Sequence, residues 1–497
     1  MNKAILRISL ACLAMFVLLL LNVNYVQAFE TTSLADKPGN VRVFEQQFTY
    51  QRGSILANGD GTDLKIAYSK LEHGAYHRVY PYGPEYAPVT GYDSIYGQSG
   101  IELAENKELA GTDPRLAVHN LTSLLTGKQK QGATVALTIS PAAQNAAYQA
   151  LLNDGGHPAA VVALDPETGA ILAMASVPTY NPNLLTTFNG VQLDKIDNAL
   201  LRDPSQPLLN RAIQVTFPPG SSFKIVTSSA AFAQHTVANP STTIPAPTVL
   251  TLPNGNFLHN DGDEPCADGD PSITEAFYLS CNTAFAGLGI KLTAPVLRAQ
   301  TSLFGMNRAL NIPLPVAPSV YPNTPSSWTD PSLTALSAIG QLNDQVTPLQ
   351  EAMFSAAIAN GGELMTPYLV QQVLGPGLSV IENQSPTLLS QAVSSQVASD
   401  VKSMMLQVTQ NPAGTAYATA GPPATNIVIY GKTGTAESGL TPAESPDDAV
   451  FSCFVPPGEG SLTPIAVGVI VKGGGFGADA AAPIAVQIIK AFEATRP

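Results

Sequence analysis

The chain is 497 residues long, enough for two or three domains with separate cores. Only 12% of its residues are charged, and the formal net charge is −13. Lys and Arg are sparse and nowhere clustered, so no surface exists to meet a phosphate backbone, and a nucleic-acid partner is excluded.

Lys3 and Arg7 precede an uncharged stretch from Ile8 to Val26, about long enough to cross a bilayer as a helix. Positive charge before it, with Glu30 and Asp36 after it, predicts a cytoplasmic N-terminus and an extracytoplasmic body. Val26-Gln27-Ala28 also resembles a small-residue cleavage site. Residues 1–28 therefore read as a cytoplasmic tip and transmembrane anchor, with a cleaved signal peptide as the alternative. Residues 29–130 read as a small, mixed, loop-rich module. Val43 to Tyr50 puts Phe44, Phe48 and Tyr50 on one face of a strand, and Gly59-Asp60-Gly61 is a turn signal. Tyr76 to Tyr96 is rich in Tyr, Pro and Gly with no helical period, and Thr126 to Gly132 is a polar linker.

From residue 131 to 497 the pattern tightens. Thr134 to Ile139 reads as a strand, and Ser140 caps a helix that has Pro141 at its first position and runs to Leu152. Ala159–Leu164 and Ala170–Ala175 are apolar strands joined by the hairpin connection Asp165-Pro166-Glu167-Thr168-Gly169. Helices follow Gly220, Ser272 and Thr347. Asn426–Tyr430, Ala449–Phe454 and Ile465–Val471 read as strands, and Pro483–Ala494 as a closing helix. Strands at both ends with helices between predict an α+β domain whose sheet draws on both ends.

Cys12 lies in the apolar anchor and Cys453 in an apolar run, where buried inert thiols are expected. Cys266 and Cys281 are close in sequence and outside the membrane; a disulfide there would restrict the unfolded chain by roughly 3 kcal/mol, and two reduced thiols are the alternative. The acidic loop from Asp261 to Asp270 lacks the ligand spacing of a calcium loop and reads as solvated surface. His73 and His77 are helix-spaced but border a Tyr/Pro/Gly loop and read as surface histidines, so no metal site is expected.

Three short strings carry the chemistry: Ser221-Ser222-Phe223-Lys224, Ser280-Cys281-Asn282 and Lys432-Thr433-Gly434-Thr435. A Ser three residues before a Lys is weak by itself, and Ser399-Asp400-Val401-Lys402 is a second instance. Context separates them. Ser221 follows Phe217-Pro218-Pro219-Gly220 and opens the largely apolar run Ile225–Ala233, which places it in the first turn of a buried helix. Lys224, one turn on, reaches its hydroxyl. Ser399 sits in a helix of mixed polarity with no turn before it. A serine hydroxyl needs a base, and lysine is one only if burial and nearby positive charge lower its pKa. Lys432 would supply that second charge and suits a substrate carboxylate. In a strand, Lys432 and Gly434 fall on one face and Thr433 and Thr435 on the other, with Gly434 leaving room for a substrate backbone. The N–H groups of Ser221 and Thr435 would form an oxyanion hole, each donor worth about 3–4 kcal/mol of barrier. Ser280 would relay a proton, and the Asn282 amide offers a donor and an acceptor to a peptide group.

Together these strings resemble the set of penicillin-binding proteins and class A β-lactamases. The chain looks like a class B penicillin-binding protein, most like the short penicillin-binding protein A type of actinobacteria. The likeness extends to Arg52-Gly53-Ser54-Ile55, Val89-Thr90-Gly91-Tyr92 and Ser99-Gly100-Ile101-Glu102 in the first module. It continues through Asp165 to Gly169, Tyr180-Asn181-Pro182-Asn183, Ile339-Gly340-Gln341 and Thr347-Pro348-Leu349-Gln350. One departure is Asp448-Ala449-Val450-Phe451, where family members often carry a Trp. The resemblance implies a non-catalytic module over 29–130 and a penicillin-binding/β-lactamase-like transpeptidase domain over 131–497, an antiparallel sheet flanked by helices. It implies Ser221 as nucleophile, Lys224 as base and Ser280 as relay, with Asn282, Lys432, Thr433, Gly434 and Thr435 binding substrate. The implied reaction is 4→3 cross-linking of peptidoglycan stem peptides through an acyl-serine, without a cofactor, blocked by β-lactams. A D,D-carboxypeptidase or a β-lactam-hydrolysing enzyme is the alternative. No glycosyltransferase motif precedes residue 130, so a separate membrane glycosyltransferase is the expected partner of this single-pass cell-membrane protein.

Overall fold

The computed structural model of the chain describes residues 3–30, 48–116, 130–261, 265–310, 312–322, 329–437, 446–456 and 464–495. Helix α1 (Lys3–Tyr25) exposes its apolar side chains on every side, and Ile5–Tyr25 is long and apolar enough to cross a membrane. Strands β1 (Ile55–Ala57), β2 (Leu64–Glu72) and β3 (Ala75–Val79) follow. Next come β4 (Thr134–Leu137), α2 (Pro141–Leu152), β5 (Ala159–Leu164) and β6 (Ile171–Val177). Helix α3 (Lys224–Ala233) precedes a hairpin of β7 (Val249–Thr251) and β8 (Phe257–His259). Then come α4 (Ile273–Tyr278), α5 (Asn282–Leu292) and α6 (Pro348–Ala359). The chain continues with β9 (Val370–Leu374), β10 (Val380–Asn383) and α7 (Ser395–Gln410). It closes with β11 (Tyr430–Ala436), β12 (Asp448–Val455), β13 (Ile465–Val471) and α8 (Ala481–Glu493).

The five-stranded sheet runs β11-β12-β13-β5-β6, antiparallel throughout, so it does draw on both ends of the domain. Helix α6 covers one face and α2 with α8 the other. Strands covered on both faces must be apolar at every position, which explains the unbroken Ala/Val/Ile runs of β5 and β13. A six-stranded sheet, β10-β9-β4-β1-β2-β3, carries strands from the first module and from the later chain together. β4 is its seam, parallel to β1 and antiparallel to β9. Among the described residues the main hydrophobic core takes members from Ile55 to Phe492, with two small clusters beside it.

Caps account for the helix starts. The Ser140 hydroxyl accepts the Ala143 N–H, Ser272 that of Glu275 and Thr347 that of Gln350. Departures from expectation have local causes. The strand expected at Asn426 begins only at Tyr430, because the Thr425 hydroxyl accepts the Ile427 N–H in a tight turn and β12 ends opposite Tyr430. The Tyr/Pro/Gly stretch contains the four-residue helix Ala87–Thr90, too short to carry a period. Of the strand expected from Val43, residues 43–47 lie outside the described residues and 48–50 form a turn; of the linker, 126–129 lie outside them. Cys266 and Cys281 form a disulfide, Cα to Cα 5.8 Å. Cys12 is exposed on α1, and Cys453 is buried on β12, where burial pushes its thiol pKa up.

Candidate active site

Pro219 to Phe223 make a tight 3-10 turn that feeds directly into α3, so Ser221 sits on a helix start and is almost buried. Two glycines let the chain pass through this crowded place. Gly220 has φ +55°, and a Cβ on it would lie 2.5 Å from Thr435 O of β11. Gly340, at φ +74°, holds the turn from behind: its carbonyl accepts the Gly220 N–H at 2.9 Å, and a Cβ there would lie 2.0 Å from Gly220 O. The turn is thus wedged between the edge strand β11 and the loop after Ile339.

The Lys224 Nζ, fully buried, donates to Ser221 Oγ at 2.9 Å, Ser280 O at 2.7 Å and Asn282 Oδ1 at 2.8 Å. Burial pulls its pKa down to about 7, with the Asp261 carboxylate opposing the fall. Lys432 reaches the same place from β11, donating to Ser280 Oγ and Thr433 O, both at 2.9 Å. Burial first, then the charge on Lys224, drive its pKa well below the usual lysine value. The sequence reading had burial and the Lys432 charge together lowering Lys224; in the structure burial is the leading cause for both lysines, and the charge effect falls on Lys432.

Ser280 closes the gap between the amines, 3.3 Å from Lys224 Nζ and 2.9 Å from Lys432 Nζ. It ends α4 in a Schellman arrangement: its N–H donates to Phe277 O and the Cys281 N–H to Ala276 O. That motif puts Ser280 at φ +63°, where glycine is the usual occupant. Asn282 opens α5; its Oδ1 accepts a hydrogen bond from Lys224 Nζ and its Nδ2 donates to Asp261 Oδ1 at 3.0 Å, leaving one amide N–H for a ligand.

The third string is β11 itself. Gly434 faces the nucleophile's turn, where a Cβ would stand 2.7 Å from Pro219 O. The Thr433 hydroxyl pairs with that of Thr415 at 2.7 Å, and Thr435 lines a cleft of about 570 Å³ with Ser221, Asn282 and Asp261. Every site residue expected from sequence is therefore gathered here. The second Ser-Lys pair is not: Ser399 is exposed on α7 and Lys402 lies over the Tyr430 ring. His73 sits in the β2–β3 turn and His77 packs on Phe188. Asp261 was missed. It is exposed, as a surface loop residue should be, but it also orients Asn282 and acts on both lysines; residues 262–264 of that loop lie outside the described residues.

An acyl-serine site of this geometry, at the edge of an antiparallel sheet packed between helices, defines a penicillin-binding transpeptidase. The chain belongs to that family: the penicillin binding protein transpeptidase domain matches residues 159–490, and the penicillin binding protein A dimerisation domain matches 52–135. It is 39% identical to the peptidoglycan D,D-transpeptidase PbpA of Mycolicibacterium smegmatis and 38% identical to that of Mycobacterium tuberculosis, over 99% of each chain. Its fold is similar to that of the imipenem acyl-enzyme complex of penicillin-binding protein A from M. tuberculosis, with a TM-score of 0.82 and 38% identity over 90% of this chain and 99% of that one. The penicillin G acyl-enzyme of the same protein gives a TM-score of 0.81 at 37% identity, over 89% and 99%.

Proposed function

We propose that this protein is a peptidoglycan D,D-transpeptidase that cross-links stem peptides through an acyl-enzyme on Ser221 and is acylated by β-lactams. The observation that carries the reading is the contact of Lys224 Nζ with Ser221 Oγ at 2.9 Å, made by an amine whose pKa burial brings to about 7. Neutral Lys224 takes the serine proton as Oγ attacks the penultimate D-Ala carbonyl. The oxyanion is held by the Ser221 and Thr435 N–H groups, the latter on an edge strand with unpaired donors. Ser280, bonded to both amines, passes the proton to the departing D-Ala, and an amine of a neighbouring stem then resolves the ester.

Lys432 and the threonines Thr433 and Thr435 bind the terminal carboxylate. An arriving carboxylate restores the proton on Lys432, and the charge so created favours the neutral, basic form of Lys224. Asn282 offers its free amide N–H to the stem peptide. The apolar helix α1 anchors the chain with its body outside the membrane, beside a separate membrane glycosyltransferase that supplies glycan strands.

Fluorescent penicillin should label the purified protein once per chain, on the peptide that contains Ser221, and Ser221→Ala should abolish the label. Labelling that persists in Ser221→Ala would refute the assignment. A donor thioester with a D-amino acid acceptor separates transfer from hydrolysis; exclusive hydrolysis would mean a carboxypeptidase or a β-lactam-hydrolysing enzyme.

A further inference from the structure

Behind the nucleophile lies a carboxyl group that the reaction above does not use. Glu351 sits in the first turn of α6, fully buried, against the back of the Pro219–Phe223 turn. Its Oε1 is 2.8 Å from Ser222 Oγ, and Ser222 Oγ is also 2.8 Å from Pro219 O. The serine hydroxyl has one proton for these two contacts. A carbonyl has none, so Pro219 O must be the acceptor and the second contact must be donated by Glu351. Its other oxygen, Oε2, is buried with no hydrogen-bond partner. A carboxylate would leave that charged oxygen bare, at a cost a neutral acid avoids. The bonds therefore run in one direction: Glu351 O–H to Ser222 Oγ, and Ser222 O–H to Pro219 O.

We propose that Glu351 works as a neutral, hydrogen-donating acid that fixes the nucleophile's turn through Ser222, so that loss of its proton slows acylation of Ser221. The turn has little slack. Pro219 O and Ser222 N lie where Gly434 of β11 passes closest, and Gly220 is clasped by Gly340. If Glu351 ionises, the Ser222 proton turns toward the carboxylate and Pro219 O loses its side-chain donor beside the oxyanion donors. Glu351 touches no reacting atom and is a positioning residue.

Ionisable groups on the elements packed against α6 are Lys224 on α3, Asp448 and Cys453 on β12, and Asp400 and Lys402 on α7. Arg211 lies on the short helix Arg211–Gln214 and Glu363 on the strand Glu363–Met365; β5 and β13 carry none. None of these charges acts on Glu351. Burial pushes its pKa up to about 8.

The test measures the second-order rate of acylation by a fluorescent penicillin from pH 6 to pH 10. It rests on the acyl-serine reading, and an unmodified protein that takes no label at all would sink that reading rather than this one. The unmodified protein should gain rate through about 7 as Lys224 loses its proton, then lose it above about 8 as Glu351 ionises. Glu351→Gln keeps a donor and cannot ionise; its rate at pH 7 should stay within about twofold and the alkaline fall should vanish. Glu351→Leu removes the donor and should be slower at pH 7 by about tenfold. A second readout guards against misfolding. Native Glu351 keeps its proton to about 8 while the unfolded chain releases it near pH 4.5, so its contribution to stability falls as pH rises through that window. Glu351→Gln should flatten that part of the Tm profile. An alkaline limb unmoved in Glu351→Gln, or equal rates for the Gln and Leu variants at pH 7, overturns the proposal.

Discussion

Ser280 carries a conflict between backbone and side chain. The end of α4 needs a left-handed residue, and an L-residue with a Cβ costs roughly 1–2 kcal/mol there. The hydroxyl that joins Lys224 to Lys432 can come only from that same position. A strained residue at a functional site is then the solution, not an accident. Ser280→Gly and Ser280→Ala both remove the hydroxyl and should slow β-lactam acylation alike, by about 100-fold if it relays the proton. They should differ in stability: the glycine variant should be more stable than the alanine variant by about 1 kcal/mol in urea denaturation. At this scale, legibility followed contiguity. Ser221 and Lys224 lie one helical turn apart, and the Lys432 string is a strand, so their joint faces follow from spacing. Glu351 and Asp261 meet the site only through tertiary packing. An acid at the start of an apolar helix such as α6 already has an ordinary explanation in the helix dipole, so nothing in the string pointed to Ser222.

Elements are placed by capping and by periodicity where those signals are local, and by close approach where they are not. The starts of α2, α4 and α6 were visible in Ser140, Ser272 and Thr347 because a cap is read within three residues. The late start of β11 was not visible, since it depends on how far β12 extends opposite it. Likewise, Ile339-Gly340-Gln341 marked a resemblance without revealing that Gly340 clasps the nucleophile's turn. Gly340→Ala would set a Cβ 2.0 Å from Gly220 O in a left-handed conformation, so the turn must move. Displacing a reacting group by about 1 Å costs on the order of 100-fold, and acylation by fluorescent penicillin should fall by that much. Gly287 on α5 has open space around its Cβ position, and Gly287→Ala should leave acylation unchanged while adding up to about 1 kcal/mol of helix stability. Comparable rates in the two variants would remove the argument for the clasp.

The molecule as a whole is joined by strand pairing and by one buried charge cluster. Arg52 donates to Glu102 Oε2 at 2.6 Å and Arg78 donates to Glu102 Oε1 at 2.5 Å, with Tyr80 adding its hydroxyl to the same oxygen. Arg78 also donates to Gly53 O, beside the start of β1. Burial alone would raise the Glu102 pKa; Arg78 and Arg52 together outweigh it and hold the carboxyl below its ordinary value. The cluster therefore sits where β1 enters a sheet that it shares with β4 and β9, strands on either side of the α2–β6 region. Arg52 and Glu102 stood out in the sequence only through resemblance, because fifty residues of loop and short strands separate them and no periodicity links the two. Their bond transmits order across the seam: the first module cannot unfold without opening a sheet whose other strands, and whose core, continue to the catalytic serine. Unfolding should thus be a single calorimetric transition, with penicillin labelling lost at the same temperature. Glu102→Gln preserves the shape but leaves two buried guanidinium groups without their shared carboxylate, which costs about 3–5 kcal/mol. That variant should lower the midpoint of the one transition and of labelling together. Two separate transitions, with labelling following the upper one unmoved by Glu102→Gln, would show instead that the shared sheet does not couple the module to the active site.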